Sequence, residues 1–219
     1  MRVLVTVGIF PPDIGGPATF VPKIAKYFQD ELNYEIEILT LSENKNSNIN
    51  DDFSVKRIDR NLPIIYRWLK TIFTIYKLGK NKDLIFVNGL GTETTIANIF
   101  LKKKIIRKIV GDPVWERAYS KAKISESFDE FQVKNYGFSI SLQKKVRSFS
   151  IKKSDIVVTP SKHLKNFILN LGFKNKIEII NNGVFIPEEN TNIFTNDQIN
   201  ITIVSRLVSH KNIEKIIKA

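Results

Sequence analysis

The sequence contains no cysteine, which excludes a disulfide framework and any thiolate metal site. It also lacks an apolar run near the roughly 18 residues that a membrane span requires. The opening stretch MRVLVTVGIFPPDIGG offers no cleavage site after its short apolar run. These absences predict a soluble, cytoplasmic protein whose first apolar run is a strand. Two nucleotide-binding fingerprints are missing as well. Gly8 is followed by Ile9 and Phe10, NGLGTETT has Thr94 where a third glycine would stand after Gly89 and Gly91, and no Gly-Lys-Ser/Thr occurs. Neither NAD nor P-loop chemistry is therefore supported. His163 and His210 lack metal-ligand spacing and read as ordinary surface or packing residues. Carboxylates are absent from LKKKIIRK (101–108) and QKKVRSFSIKK (143–153), where the cations gather.

What is present is a basic chain of 219 residues, with 34 Lys and Arg against 22 Asp and Glu and a net charge of +12. Its pI of about 9.7 favours anionic partners: a membrane surface, nucleic acid or phosphorylated ligands. Each basic run reads equally well as a solvated lysine-rich face. No helix-turn-helix, zinc-finger or RNA-recognition pattern accompanies them, which argues against a nucleic-acid partner. A hydrophobic fraction of 42% and 15 phenylalanines suffice for a normal core.

Runs rich in Val and Ile recur at 2–9, 35–41, 84–88, 106–110, 155–159, 177–181 and 201–205, separated by stretches with helical spacing. Most are apolar nearly throughout, as strands covered on both faces are. The alternation predicts an α/β fold: a Rossmann-like, doubly wound parallel sheet with helices on both faces. FSVKRID (53–59) alternates instead and belongs nearer an edge. In TPSKHLKNFILNLGF, Ser161 can cap a helix, Leu164, Phe167, Ile168 and Leu171 share a face, and Gly172 sits at the left-handed C-terminal position. A second helix is predicted from Pro63 to Gly79, with Ile65, Trp68, Leu69, Ile72 and Tyr76 on one side. Arg67, Lys70, Thr71, Thr74 and Lys77 take the other. Its apolar side could lie on a membrane, but packing on the core is the commoner fate. The Asn-rich stretch 185–200 reads as a linker, so a domain boundary is expected near residue 188. Residues 1–187 then form one domain, and the piece from 188 to 219 is too short to bury a core of its own.

Four places after strands could carry chemistry, because open α/β sheets bind ligands there. In FPPDIGGPATF, Gly15 and Gly16 let backbone N–H groups approach a ligand at the mouth of a helix, although Gly-Gly in a loop is more often only a turn. In IVGDPVWERA, Asp112 could bind a sugar hydroxyl or act as a base; equally, it could cap the next helix with Pro113 in first position. Asn182-Gly183 reads most simply as a tight turn with positive φ at Gly183. In VSRLVSHKN, Arg206 and Lys211 could converge on an anion such as a diphosphate, or make surface salt bridges.

In this order, GG at 15–16, SDIVVTPSKHLKNFI at 154–168, KIEIINNGV at 176–184 and VSRLVSHKNIEKIIKA at 204–219 resemble the GT-B glycosyltransferases of family 4, a retaining class. The resemblance spans essentially the whole chain. It implies a hexosyltransferase using a nucleotide diphosphate sugar and a glycan or lipid-linked acceptor. The first of two Rossmann-like domains would bind mainly the acceptor. Arg206 and Lys211 would hold the donor diphosphate, and the Gly15-Gly16 loop would approach the donor phosphates or the transferred sugar. No cofactor and no metal are implied. Where the family usually has a histidine, this chain reads VGDPVWE, with Asp112 as the substitute. The family's pair of glutamates separated by seven residues would lie beyond Ala219, so the chain resembles a transferase cut short. On that reading it has little activity by itself and would need a second chain supplying the rest of the donor domain. An anionic membrane surface is a further partner consistent with the charge. The alternative is a non-catalytic acceptor-binding or scaffold subunit.

Overall fold

The computed structural model describes residues 1–43, 53–183, 202–204 and 213–217. The Val- and Ile-rich runs form strands β1 (Arg2–Val7), β2 (Glu35–Ser42), β3 (Ser54–Asp59), β4 (Leu84–Asn88), β5 (Lys104–Lys108), β6 (Ile156–Thr159) and β7 (Lys176–Ile179). They pair into one seven-stranded sheet of order β3-β2-β1-β4-β5-β6-β7. Every pairing is parallel, with Val3 opposite Ile36 on one side and Leu84 on the other. The fold is the predicted α/β Rossmann-like sheet, and the alternating strand β3 is an edge, as expected. The strand expected at 201–205 is not found in its described part, because 202–204 joins no ladder. An apolar run becomes a strand only where a neighbour accepts its backbone groups.

Between the strands lie α1 (Gly16–Asp30), α2 (Ile64–Gly79), α3 (Gly91–Leu101), α4 (Pro113–Ser120), α5 (Phe128–Val133), α6 (Phe138–Lys152) and α7 (Lys162–Asn170), with α8 (Ile213–Ile217) near the end. Two compact units divide the chain: Met1–Val110 with Lys144–Ile180, and Gly111–Gln143 with Asn181–Ala219. The boundary expected near residue 188 lies outside the described residues.

In the first unit the sheet carries a core on each face. Val3, Val5, Val7, Ile36 and Ile38 pack against Val21 and Ala25 of α1. On the other face Leu4, Leu39, Ile58, Ile85 and Ile105 meet Ile75 of α2 and Ala97 of α3. α7 follows its sequence closely: Ser161 Oγ accepts from Leu164 N at 3.2 Å, Leu164, Phe167 and Ile168 are buried, and Gly172 takes a φ of +82°. α2 has the expected length but not the expected orientation. Thr71, Ile75 and Gly79 are its buried residues, whereas Ile65 and Leu69 are exposed. Slim residues allow the closer approach, and Thr71 satisfies its hydroxyl internally on Arg67 O at 2.8 Å. No helix among the described residues is long and apolar enough to cross a membrane.

The second unit is built on Val114, Ala118, Ile124 and Phe131, flanked by Trp115, Tyr119, Tyr136 and Ile140. A capping box starts α5, with Ser127 N donating to Glu130 Oε2 at 2.9 Å. Lys134 pairs with Glu126 and holds that carboxyl down to about 2.

Candidate functional site

A parallel sheet delivers the carboxyl ends of all its strands to one edge, and in the first unit the loop from β1 to α1 lies there. Gly15 is the N-cap of α1 and supplies no side chain. Pro17 follows at the helix start, and the first turn contains no acidic residue. The positive end of α1 is thus left to whatever anion its backbone N–H groups meet.

This loop is braced from the edge strand. Arg60 Nη2 donates to Asp13 Oδ2 at 2.5 Å, to Leu41 O at 3.1 Å and to Gly8 O at 3.3 Å. Arg57 Nη2 donates to Pro11 O at 3.1 Å, and its guanidinium lies 6.0 Å from the ring centre of buried Phe10. Pro11 and Pro12 are joined by a cis peptide. Neither arginine was identified from the sequence. The signal was there in KRIDR at the end of an edge strand, but the acceptors in the β1–α1 loop lie more than forty residues earlier.

A second loop leans on the first. A Cβ at Gly89 would stand 2.4 Å from Gly8 N, so only glycine allows the β4–α3 turn to sit there. Thr6 Oγ1 donates to Gly89 O at 3.2 Å, and Thr94 Oγ1 donates to Thr6 Oγ1 at 3.1 Å. Further along the edge, Arg107 is buried among neutral oxygens. Its Nε donates to Ser154 Oγ at 2.8 Å and its Nη2 to Thr95 Oγ1 at 2.9 Å. Burial lowers its pKa to about 10. Next to it, burial also lowers Lys108, whose Nζ lies 3.4 Å from the ring centre of Phe20.

The structure places the predicted site residues in different settings. Gly15 and Gly16 are at the mouth of α1 in the first unit. Asp112 belongs to the second unit and is fully buried. Its Oδ1 accepts from Val114 N at 3.0 Å and its Oδ2 from Gln132 Nε2 at 3.0 Å. Of the two roles open to Asp112, the helix cap is thus the one whose geometry is present, with Pro113 following. Arg206 and Lys211 lie outside the described residues, as does His210. Asn182 and Gly183 are exposed, and Gly183 does not adopt the positive φ of the expected turn. Nothing lies within 4 Å of where a Cβ would stand, so the position does not require glycine. No group of three or more His, Cys, Asp or Glu among the described residues could hold a metal ion.

The fold and its loops define a Rossmann-like α/β domain with a glycine-lined loop at a helix mouth. No family model matches the chain. Its sequence is similar to an uncharacterized glycosyltransferase of Methanocaldococcus jannaschii, 28% identical over 242 aligned positions that cover 100% of this chain and 59% of that protein. Among solved structures, the lipopolysaccharide outer core galactosyltransferase WaaB matches 86% of this chain and 47% of its own, with a TM-score of 0.56 and 15% identity. Anabaena Alr3699/HepE in complex with UDP matches 84% and 44%, with a TM-score of 0.55 and 15% identity. These structures share the fold. The chain is glycosyltransferase-like in sequence, and it spans less than two thirds of each of these proteins.

Proposed function

We propose that the chain is the acceptor-side domain, with the start of the donor-side domain, of a retaining GT-B glycosyltransferase of the family 4 type. It would move a hexose from a nucleotide diphosphate sugar to a glycan or lipid-linked acceptor. The observation that carries this reading is the likeness to a glycosyltransferase along the whole of the chain. The α1 mouth supports it, since a helix start without an acidic first turn suits a phosphate or a sugar hydroxyl.

In this reading Arg206 and Lys211 hold the donor diphosphate and stabilise it as negative charge develops on the leaving group, with no metal required. Gly15 and Gly16 bring backbone donors to the donor phosphates or the sugar. Asp112 serves the reaction by fixing the start of α4, since its carboxylate already accepts from Val114 N and Gln132. A lipid-linked acceptor would place the protein at the inner face of the membrane. Residues 1–219 alone would turn over little, because the rest of the donor half is needed to seat the nucleotide.

The test is transfer of labelled sugar from UDP-glucose, with which the Anabaena protein is in complex in one structure, to a lipid extract and to a polysaccharide fraction. Residues 1–219 are assayed alone and with a polypeptide supplying the remaining donor half. Transfer in the second assay only, abolished by Arg206→Ala with Lys211→Ala, is the expected result. Acceptor binding with no nucleotide binding in either assay would replace the enzyme with an acceptor-binding scaffold.

A further inference from the structure

The rotation of α2 on the sheet leaves an apolar stripe facing outward. Ile65, Leu69 and Phe73 recur every fourth residue, which stacks them on one side of the helix. They are 76%, 55% and 65% exposed, far from the nearly complete burial of Ile75 on the opposite side. The stripe continues onto α3, where Phe100 is 74% exposed and meets Tyr76 edge-on with ring centres 6.4 Å apart. A soluble surface seldom gathers this many large apolar side chains unless something covers them.

The charges carried by α2 itself have one sign. α2 contains no acidic residue and carries Arg67, Lys70 and Lys77. Lys70 Nζ lies 5.8 Å from the ring centre of Tyr66, and Lys80 Nζ lies 4.6 Å from that of Tyr76. Beyond Phe100 the chain continues with Lys102, Lys103 and Lys104. Apolar and aromatic side chains flanked by cations match the boundary between acyl chains and anionic headgroups. Lysine stems can lie along the apolar layer while their ammonium groups reach the phosphates.

We infer that the outer face of α2, extended by Phe100, docks on the surface of a bilayer containing anionic lipid. A second copy of the chain is a poorer occupant. A two-fold contact centred on this stripe would bring Lys70 and Lys77 towards their own counterparts. The assignment deepens the transferase reading by giving a lipid-linked acceptor a surface to be met on. Its test reads the surface alone, so the two can fail separately.

The full chain is sedimented with vesicles of phosphatidylcholine, alone or mixed with phosphatidylglycerol, at low and high salt. Binding is expected to the mixed vesicles only, and to weaken with salt. Leu69→Gln with Phe73→Gln removes the apolar part, and Lys70→Glu with Lys77→Glu reverses the rim. Each pair should reduce the bound-to-free ratio about tenfold or more. Lys23→Glu with Lys26→Glu on α1, against the other face of the sheet, changes net charge equally and should leave most binding intact. Because the chain has no cysteine, Phe73→Cys and Tyr27→Cys can each carry an environment-sensitive dye. Only the dye at position 73 should shift to the blue on mixed vesicles. No binding to mixed vesicles, equal loss with the α1 pair, or a shift at both dyes would overturn the proposal. So would a self-associated chain that Leu69→Gln with Phe73→Gln dissociates, since the stripe would then belong to a second copy.

Discussion

α2 and α7 start from the same kind of sequence and end differently. Both place large apolar residues at helical spacing, yet α7 buries that face while α2 turns much of it outward. In α7 the buried face is made by Leu164, Phe167 and Ile168. In α2 it is made by Thr71, Ile75 and Gly79, where a Cβ on Gly79 would come within 2.5 Å of Leu101. Close helix packing selects the residues that fit, and hydrophobicity alone does not decide which side of a helix meets the sheet. What the packing leaves outside is then available to a partner.

The largest effects should come from the seated residue of each helix. Ile75→Ala and Ile168→Ala are each expected to cost about 2–5 kcal/mol in urea unfolding. A small loss at Ile75 with a large one at Ile168 would mean that α2 is not seated as described. A middling effect should distinguish the helix starts. Ser161→Ala removes the cap of α7 and should cost about 1 kcal/mol, whereas Pro63→Ala has no side-chain bond at the start of α2 to lose. Smaller again, Leu69→Gln and Phe73→Gln should each change unfolding stability by less than about 0.5 kcal/mol, since both sites are exposed. A loss as large as that of Ile75→Ala would show that the stripe packs within the chain.

Acid should produce the slightest change in global stability and leave α2 unaffected, because it contains neither a carboxylate nor a histidine. The second unit differs. Lys134 holds the Glu126 carboxyl at about 2, below its ordinary 4.5, so the contribution of that pair is present above pH 4.5 and is lost as pH falls towards 2. Trp115 Nε1 donates to Glu126 O at 3.1 Å and reports the change. In a Trp68→Phe background, its emission should shift over that window, and Lys134→Met should flatten the response.

The sheet was largely legible in the sequence because strands covered on both faces are apolar throughout. β4 matches its expected span, and β3 announced its edge position by alternating. The α7 cap could be read from Ser161, and one of the two readings of Asp112 is the cap that is found. The basic runs were less transparent. In each, the arginine is buried while the lysines are exposed or only partly buried. Arg107 is bound to Ser154 and Thr95, and Arg147 lies 5.2 Å from the ring centre of Phe167. A planar guanidinium with several donors can be satisfied in a core where an ammonium would not be. Which arginine does so depends on oxygens and rings supplied from distant parts of the chain. The brace made by Arg57 and Arg60 was hidden for the same reason.

That brace links the motion of the glycine loop to the boundary of the sheet. β3, like β7 at the opposite end of the sheet, has a ladder neighbour on one side only, so its amides should exchange with solvent before those of the inner strands. Arg57 and Arg60 tie the β1–α1 loop to the end of that strand. An opening of that edge should therefore loosen the loop at Gly8, Pro11 and Asp13, so that the time for which the loop holds one shape depends in part on how long an outermost strand stays zipped.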